Sequence, residues 1–532
     1  MKVTRNNKIV LTIFFVVWVL AGISVINYAF AQSPQTGESV DTYRKLRLFT
    51  EVFNRIRSNY IDEIDVDTVI DAAIEGMLSE LDVHTHFFVP EDFEEFRTDT
   101  QGRFGGLGIS IDKQGDYITV VSPIEGTPAY DMGILPGDKI IKVDGESVIG
   151  IPSNDAVKKM RGDVGTAVNI TISRPGIEQE LEFRIIRDFI EIKSVPYAFK
   201  MDNGVGYIRV RQFNANVSRE LRLALDALEE EGIRGLLIDL RFNPGGLLTE
   251  AIDTVNEFVG KDKKVVFTKG RIPQVNAEYY TRIDRIRTGY PVVVMINEAS
   301  ASASEIFAGS IQDWDKGLVV GKTSFGKGSV QQLYPLQDGY GLKVTTSKYY
   351  IHSGRTIHRD DNDKLLKGEK LSESDKEKYE EERKSKIFYT ERGRVVYGGG
   401  GITPDIEIEQ STLTPFEIEL RRKNLFFPFT TDYLLNNELV VTEDYQVSDE
   451  IYNTFIEHAR ENGIEITDKD LEESGDWIKY SLKTNIITRK LGEQAGNKVG
   501  LEQDTQFQEA LSLFDKFSTL EEMFEYAESL RE

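Results

Sequence analysis

The fold of this chain is decided by Val292-Val293-Val294-Met295-Ile296 and by the run that follows, Asn297-Glu298-Ala299-Ser300-Ala301-Ser302-Ala303-Ser304-Glu305-Ile306. Five consecutive apolar residues are typical of a strand buried on both faces. Small and polar residues before a mixed apolar segment are typical of a helix start. The sequence therefore predicts a strand, a sharp bend and a helix, which is the repeating unit of an α/β fold.

The same alternation of strands and helices extends on both sides of this unit. We predict strands at residues 206–211 and 235–240, and helices at 218–230 and 248–259. The predicted α/β core covers residues 189–410. Periodicity alone indicates only the α/β class.

Ser302 stands at the predicted bend, where a serine can be a nucleophile or a helix cap. Glu305 follows three residues later, the spacing of a capping box that closes a helix without any chemistry. The chain has no cysteine, which excludes a thiol nucleophile, and its five histidines lie outside this segment. Nothing in the sequence nominates a Ser-His-Asp triad.

A lysine flanked by glycines lies in Phe325-Gly-Lys-Gly-Ser-Val330. Its sequence neighbours are not carboxylates, and a desolvated lysine can act as a general base when its pKa falls to about 7–8. A phosphate-binding loop is the rival interpretation, because Gly321 to Lys327 has that spacing. Gly328 occupies the position of the usual Ser or Thr, and residues 330–335 predict a strand where such a loop would open a helix. Nucleotide binding is therefore disfavoured.

Together, the run from Ser300 to Glu305, the lysine 25 residues after Ser302 and Gln331 four residues beyond it resemble the carboxy-terminal processing (tail-specific) serine proteases. The resemblance covers roughly residues 40–410. Further matching elements are Leu240-Arg-Phe-Asn-Pro-Gly-Gly246, Arg161-Gly162, Ser353-Gly-Arg355 and Gly401-Ile-Thr-Pro-Asp405.

This resemblance implies a Ser/Lys dyad in a crotonase-like or ClpP-like core, with no metal and no cofactor. Ser302 would be the nucleophile, Lys327 the base and Gln331 the residue that orients the lysine. The implied oxyanion hole and supporting residues are Ala303, Gly245, Gly246 and, eleven positions after Ser302, Asp313. Taken alone, the Asn-Pro-Gly-Gly segment is an ordinary turn after a buried strand.

Residues 99–188 contain a glycine loop, Phe104-Gly-Gly-Leu-Gly-Ile109, followed by short alternating strands. Their order resembles a PDZ domain, inserted between N-terminal helices and the core. That implies capture of a protein C-terminus with an apolar last residue by Gly106, Leu107, Gly108 and Ile109. The alternative is a hairpin that only packs against the core. Arg161 resembles the arginine that links the PDZ domain to the core, or is a solvated cation at a helix end.

The N-terminus predicts export. Lys2, Arg5 and Lys8 precede an apolar stretch at residues 9–26, and Ala29-Phe-Ala31 offers a cleavage site. Residues 1–31 are thus predicted to be a signal peptide or a membrane anchor, which places the remainder in the periplasm or elsewhere outside the cytoplasm. Removing them changes the formal charge from −24 to −27, which disfavours nucleic-acid partners.

The remaining segments carry weaker predictions. Residues 38–98 are expected to form helices, with Leu46, Phe49, Val52, Phe53 and Ile56 on a core or packing face. His84 and His86 are assigned structural roles. A charge-dense insert at 359–392 is predicted to be a solvated helix or mobile excursion. The helical region 411–532 is expected to mediate self-association, dock substrates or support the core.

We therefore predict an exported serine endopeptidase that binds protein tails through its PDZ domain and cleaves them for processing or degradation. Its partners would be proteins with exposed apolar C-termini, and it could form a homo-oligomer. A non-catalytic PDZ scaffold that captures C-termini is the alternative. A small-molecule acyl hydrolase would share the Ser/Lys chemistry but would not explain a peptide-binding domain.

Overall fold

The computed structural model describes residues 37–530, except 125, 285, 288, 360–371, 373, 375–380 and 382. The predicted signal or anchor segment and most of the charged insert lie outside the described residues. The chain forms two compact units that meet in sequence between Glu80 and Leu81.

The first unit contains the helices α1 (Gly37–Asn59) and α2 (Val66–Ser79). Asp65 caps α2 by accepting hydrogen bonds from the Asp67 and Thr68 amides. The predicted packing face of α1 is wrong for this unit, because two helices cannot enclose a core. The exposed fractions are 57% for Leu46, 49% for Phe49, 48% for Val52 and 40% for Ile56. Over the described part of the chain, no helix has the length and apolarity to cross a membrane.

The second unit combines three layers of helices and strands. Its helices are α3 (Pro90–Gln101), α4 (Pro128–Asp131), α5 (Ser153–Met160), α6 (Val217–Glu230), α7 (Leu248–Val259), α8 (Ala303–Asp313), α9 (Pro415–Arg422), α10 (Phe426–Asn436), α11 (Asp449–Glu461), α12 (Asp468–Leu491), α13 (Glu493–Gly500), α14 (Thr505–Ser512) and α15 (Leu520–Ser529).

The strands before the core helices are β1 (His86–Phe88), β2 (Arg103–Gly106), β3 (Ile109–Gln114), β4 (Tyr117–Pro123), β5 (Lys139–Val143), β6 (Glu146–Ser147), β7 (Ala167–Ser173), β8 (Leu181–Ile186), β9 (Asp188–Glu191) and β10 (Tyr197–Lys200). Those that follow are β11 (Val205–Arg209), β12 (Gly235–Asp239), β13 (Lys264–Gly270), β14 (Glu278–Tyr280), β15 (Val292–Ile296), β16 (Leu318–Gly321), β17 (Ser329–Pro335), β18 (Gly341–Ile351), β19 (Ile387–Tyr389), β20 (Val395–Tyr397) and β21 (Ile406–Glu407).

The part predicted to be a PDZ domain is an antiparallel sheet in the order β3-β4-β5-β7-β8, with β6 paired to β5. It encloses its own hydrophobic core. Strand β3 follows the glycine loop and pairs with β4 on one side only, so its other edge is open. The antiparallel pair β2 and β9 joins the two ends of this domain.

The core sheet has the order β10-β11-β12-β15-β16-β21, and its strands from β11 onward run parallel. Helices α6, α7 and α8 contribute to the apolar cluster with β11, β12 and β15 on one face. The predicted strand at 292–296 and the predicted helix at 248–259 have the observed bounds. The expectation of an α/β core is confirmed.

The other face of the core sheet is covered by the end of the chain. Phe507 of α14, Phe514 of the 3-10 turn Leu513–Asp515 and Phe524 of α15 belong to the same buried cluster as Leu237 of β12 and Val293 of β15. Helices α9 to α12 instead form a separate apolar cluster of their own. The helical region predicted at 411–532 therefore forms two separate packing units, and its last part completes the α/β core.

A second sheet has the order β1-β18-β13-β14, with β17 also paired to β18. Strand β17 begins two residues after Lys327. Strand β1 falls inside the region predicted to be helical, so that prediction is wrong there. The three residues of β1 pair with β18, from His86 opposite Lys343 to Phe88 opposite Gly341. This pairing carries the turn at residues 82–85 to the edge of the candidate site.

Candidate active site

Three loops converge because they follow three neighbouring strands of the core sheet. Strand β12 leads into residues 240–246, β15 leads into Ser302, and β16 leads towards Lys327. These strands are adjacent and parallel, so their carboxyl ends lie on one edge of the sheet. Ligand and catalytic sites of open α/β sheets form at that edge.

Ser302 occupies a strained position between β15 and α8. Its backbone has φ 57° and ψ −114°, which is rare for a residue with a side chain. Ser300 and Ser304 are fully buried, and their hydroxyls donate to the Leu240 and Asn243 carbonyls at 2.9 and 3.0 Å. Ser302 is only partly buried. Of the three serines, therefore, Ser302 is the one that a substrate can reach.

Glu305 joins the nucleophile segment to the lysine segment. Its carboxylate accepts from the Ser302 amide at 2.7 Å, which is the bond expected of a capping box. It also accepts from the Ser324 hydroxyl at 2.6 Å and from the Gly326 and Lys327 amides at 2.7 and 3.0 Å. The capping interpretation and a role in the site are thus compatible, since one carboxylate serves both segments.

Burial raises the pKa of Glu305 to about 7, although its four hydrogen-bond donors oppose that rise. The folded protein then holds this proton up to about pH 7, whereas the unfolded chain releases it near 4.5. The stability contributed by this group falls as pH rises through that window. We expect the wild type to lose about 3 kcal/mol relative to Glu305→Gln between pH 4.5 and 7. Urea unfolding at a series of pH values measures this difference, and parallel curves for the two proteins would contradict it.

Lys327 lies in an environment that favours its neutral form. Burial lowers the pKa of the Lys327 ammonium, Lys343 lowers it further, and Glu305 and Asp82 act in the opposite direction. No carboxylate adjoins this lysine in the sequence, and the folded chain adds the influence of Glu305 and Asp82 from distant segments. A lysine with a lowered pKa can accept a proton near neutrality.

Tyr349 is a second connection between the same two segments, and sequence analysis did not find it. Its fully buried hydroxyl contacts the carbonyl oxygens of Ser302 and Lys327, at 3.2 and 2.5 Å. Burial holds the pKa of this phenol well above its ordinary value, so it remains a donor. Its only sequence signal is its position within a predicted strand.

The loop at residues 243–246 lies directly against Ser302. The Asn243 carbonyl accepts from the Ala301 amide, and a methyl group added to Gly245 would lie 2.7 Å from the Ser302 Cβ and 2.8 Å from the Ala303 nitrogen. Any residue with a Cβ would clash here. The backbone φ of 97° at this position also favours glycine.

The amides predicted for an oxyanion hole differ in their availability. The Gly245 N–H already donates to the Asn243 Oδ1 at 2.9 Å, so Gly245 is not a free donor here. Within the described residues, the Gly246 and Ala303 amides have no hydrogen-bond partner. The two free N–H groups therefore belong to Gly246 and Ala303.

The other predicted site residues fall at different distances from Ser302. Gln331 is the third residue of strand β17, and its amide nitrogen donates to Ser329 and Thr345. Asp313 is at the far end of α8, about 16 Å along the helix axis. It is fully buried and pairs with Arg355 at 2.8 Å, so it supports the Ser353-Gly-Arg355 turn and does not contact the dyad.

Arg161 packs at the base of the PDZ domain. Its guanidinium lies 4.3 Å from the centre of the Phe104 ring and 3.7 Å from a carboxylate oxygen of Glu95 in α3. It stands at the C-terminal end of α5 and its side chain is 29% exposed, so these contacts hold a partly solvated cation. It connects the glycine loop to the helix that precedes it.

The glycine loop presents free backbone donors. The Leu107 and Gly108 amides have no hydrogen-bond partner in the described part of the chain. Gly108 has φ 78°, and its carbonyl accepts from the Ile124 amide and the Thr127 hydroxyl. Leu107 is itself buried in the domain core, so the half-buried Ile109 is the better placed apolar contact for a ligand. Across the described residues, no group of three His, Asp or Glu side chains could hold a metal ion.

Comparison with known proteins shows which families the sequence matches. The chain matches the model of peptidase family S41 at residues 204–363, a PDZ domain model at 119–174 and a family of unknown function at 416–492. It is 39% identical over 349 residues to the carboxy-terminal-processing protease of Bartonella bacilliformis, covering 65% of this chain and 79% of that protein. It is 34% identical over 332 residues to the carboxy-terminal processing protease CtpA of Bacillus subtilis, covering 62% and 69%.

Among solved structures, the photosystem II D1 C-terminal processing protease is 24% identical, with a TM-score of 0.36 and coverage of 68% of this chain and 92% of that one. A likeness at this TM-score carries no conclusion about the site.

Proposed function

Because this chain belongs to peptidase family S41 and carries a PDZ domain, we propose that it is a serine endopeptidase with a Ser302/Lys327 dyad that cleaves proteins near their C-termini. One observation carries the assignment of the dyad. A single buried carboxylate, that of Glu305, bonds the Ser302 backbone and the Lys327 backbone, so the two segments are held together beside free amides.

In the proposed reaction, neutral Lys327 takes the proton of the Ser302 hydroxyl as its oxygen attacks a peptide carbonyl carbon. The resulting oxyanion is stabilised by the Gly246 and Ala303 amides, which is usually a large electrostatic contribution in acyl transfer. The protonated lysine then gives its proton to the leaving amine as the C–N bond breaks. Water hydrolyses the acyl-enzyme by the same route, and neither step needs a metal or a cofactor.

The PDZ domain is proposed to deliver the substrate. An extended tail would add to the open edge of β3, and its terminal carboxylate would meet the free Leu107 and Gly108 amides. The half-buried Ile109 favours an apolar last residue. The positive flank and apolar stretch of residues 1–31 support export, with the enzyme acting outside the cytoplasm, either soluble or tethered.

The test is cleavage of one unstructured protein that ends in either an apolar or a charged tail. We expect residues 32–532 to cut the apolar-tailed form at least tenfold faster, and Ser302→Ala to cut neither form. Mass spectrometry of the fragments locates the cut. Ile109→Asp is expected to abolish the preference between tails while Ser302-dependent cutting persists, because only delivery is affected.

Two results would change the assignment. Tail binding without cleavage would favour the non-catalytic scaffold. Equal cutting of both tails would retain the protease and reject the delivery role of the PDZ domain.

A further inference from the structure

A hydrogen-bond path leads from Asp82 to Gln331 through Thr345. The Thr345 hydroxyl donates to the Asp82 Oδ1 at 3.1 Å, and the Gln331 Nε2 donates to that hydroxyl at 3.2 Å. Gln331 and Thr345 are direct neighbours on the paired strands β17 and β18. Asp82 lies in the turn before β1, which pairs with β18. A turn 263 residues away in the sequence thus meets two neighbouring strands at one threonine.

The carboxylate determines the direction of this path. An ionised Asp82 can only accept, so the Thr345 hydroxyl gives its one proton to Asp82 and must accept from Gln331. The Gln331 Nε2 also donates to the Ser329 hydroxyl at 3.0 Å, which accounts for both of its N–H groups. The amide oxygen Oε1 is therefore turned away from Thr345, and it has no hydrogen-bond partner in the described part of the chain.

Asp82 is held in place by three further donors. Its carboxylate accepts from the His84 and Thr85 amides at 2.8 and 2.9 Å and from the Thr85 hydroxyl at 2.9 Å. Burial alone would raise the pKa of Asp82, but these hydrogen bonds lower it below its ordinary value. The carboxylate is therefore ionised and rigid at neutral pH, as a fixed end of the path must be.

We infer that Asp82 is a positioning residue for the cleavage reaction, which acts through Thr345 to present the Gln331 carbonyl oxygen to the Lys327 ammonium. This inference rests on the proposed function. The Gln331 carbonyl oxygen is needed after Lys327 has taken the Ser302 proton, because the new ammonium then requires a hydrogen-bond acceptor. The charged groups that act on Lys327 are Lys343, Glu305 and Asp82.

The first test breaks the hydrogen-bond path at Thr345 and leaves the Asp82 charge in place. We expect Thr345→Val to lower kcat by about 10- to 100-fold with little change in KM, as loss of an outer hydrogen-bond partner does. Thr345→Ser keeps the hydroxyl and should restore kcat to within a few-fold of the wild type. Asp82→Asn should match Thr345→Val in kcat.

A double-mutant cycle then tests whether Asp82 acts through Gln331. In a Gln331→Ala background, Asp82→Asn should cost less than about twofold, because the group it positions is absent. A second readout is the pH profile of kcat/KM. Asp82 raises the pKa of Lys327, and an acceptor for the ammonium does the same, so the midpoint should move to lower pH in Asp82→Asn and in Thr345→Val and stay unchanged in Thr345→Ser.

Asp65→Asn is the matched control. The Asp65 carboxylate accepts from the amides two and three residues ahead, as Asp82 does, but has no link to Gln331. Its kcat should equal that of the wild type. Full kcat in Thr345→Val, or an equal cost of Asp82→Asn in both backgrounds, would overturn the inference alone. Absence of Ser302-dependent cleavage by the wild type would overturn the proposed function and the inference together.

Discussion

Lys327→Ala is expected to lower kcat by on the order of 10⁴-fold or more while the protein remains folded. The proposed reaction assigns no other side chain to take the Ser302 proton. Glu305 cannot replace the lysine, since its carboxylate is occupied by four donors. Burst and steady-state assays with the apolar-tailed substrate measure the loss, and circular dichroism confirms the fold.

Two companion variants make this result specific. Lys327→Arg should be equally inactive, because a guanidinium with a pKa above about 12 does not supply a neutral base. Lys322→Ala should retain kcat within about twofold, since the Lys322 ammonium pairs with Glu407 and Glu409 away from the dyad. Activity in Lys327→Ala near that of Lys322→Ala would show that the base is another group.

The pH profile of the wild type follows from the same residue. A base must be neutral to take the serine proton, so kcat/KM should rise with pH and level off above the pKa of Lys327. Burial and Lys343 lower that pKa, and the plateau should therefore begin below the ordinary lysine value of 10.5.

The elements that sequence predicted well are those with a local pattern. The apolar run at 292–296 predicts a strand from consecutive residues alone. The amphipathic segment at 248–259 likewise predicts a helix from its own spacing of apolar residues. Ser302, Lys327 and the Gly245-Gly246 turn could be nominated together because the resemblance supplies their pairing. The PDZ domain was recognisable from the order of its short strands.

What sequence could not predict depends on contacts between distant segments. Thr345 lies 263 residues from Asp82, and only the pairing of β1 with β18 brings them together. Tyr349 looks like any tyrosine on a half-buried strand until the Ser302 and Lys327 carbonyls are placed beside it. The free Gly246 amide is distinguished from that of Gly245 only by the position of one Asn243 side chain.

The contribution of the C-terminal region to the core could not be predicted from the sequence either. Polar helices after residue 411 gave no indication that α14 and α15 cover the core sheet. Arg241, next to the site loop, forms two bonds to Asp504 at 2.7 and 3.0 Å and joins this region to the core. Burial alone would raise the pKa of Asp239, but Arg209 and Arg241 hold it at about 2. The ionic layer beneath the site thus includes a residue from the C-terminal region.

Deletion of residues 505–532 is expected to prevent folding of the protease core. It would expose the apolar face of the sheet that Phe507, Phe514, Phe517, Met523 and Phe524 now cover. At about 1.5–3 kcal/mol for each buried side chain, the loss is about 10 kcal/mol, which is comparable to the entire stability of a typical domain. Soluble yield and urea unfolding of the truncated protein measure the effect.

A single substitution tests the packing of the C-terminal region on the core without shortening the chain. Phe514 is 1% exposed and packs directly on β12, where a methyl group added to Gly235 would lie 2.4 Å from its ring. Phe514→Ala should therefore cost about 3–5 kcal/mol in the free energy of unfolding. Phe189, which is 56% exposed, is the matched control, and Phe189→Ala should cost less than about 1 kcal/mol. Equal, small costs at both positions, together with a folded and active truncated enzyme, would mean that the C-terminal helices lie beside the core without completing it.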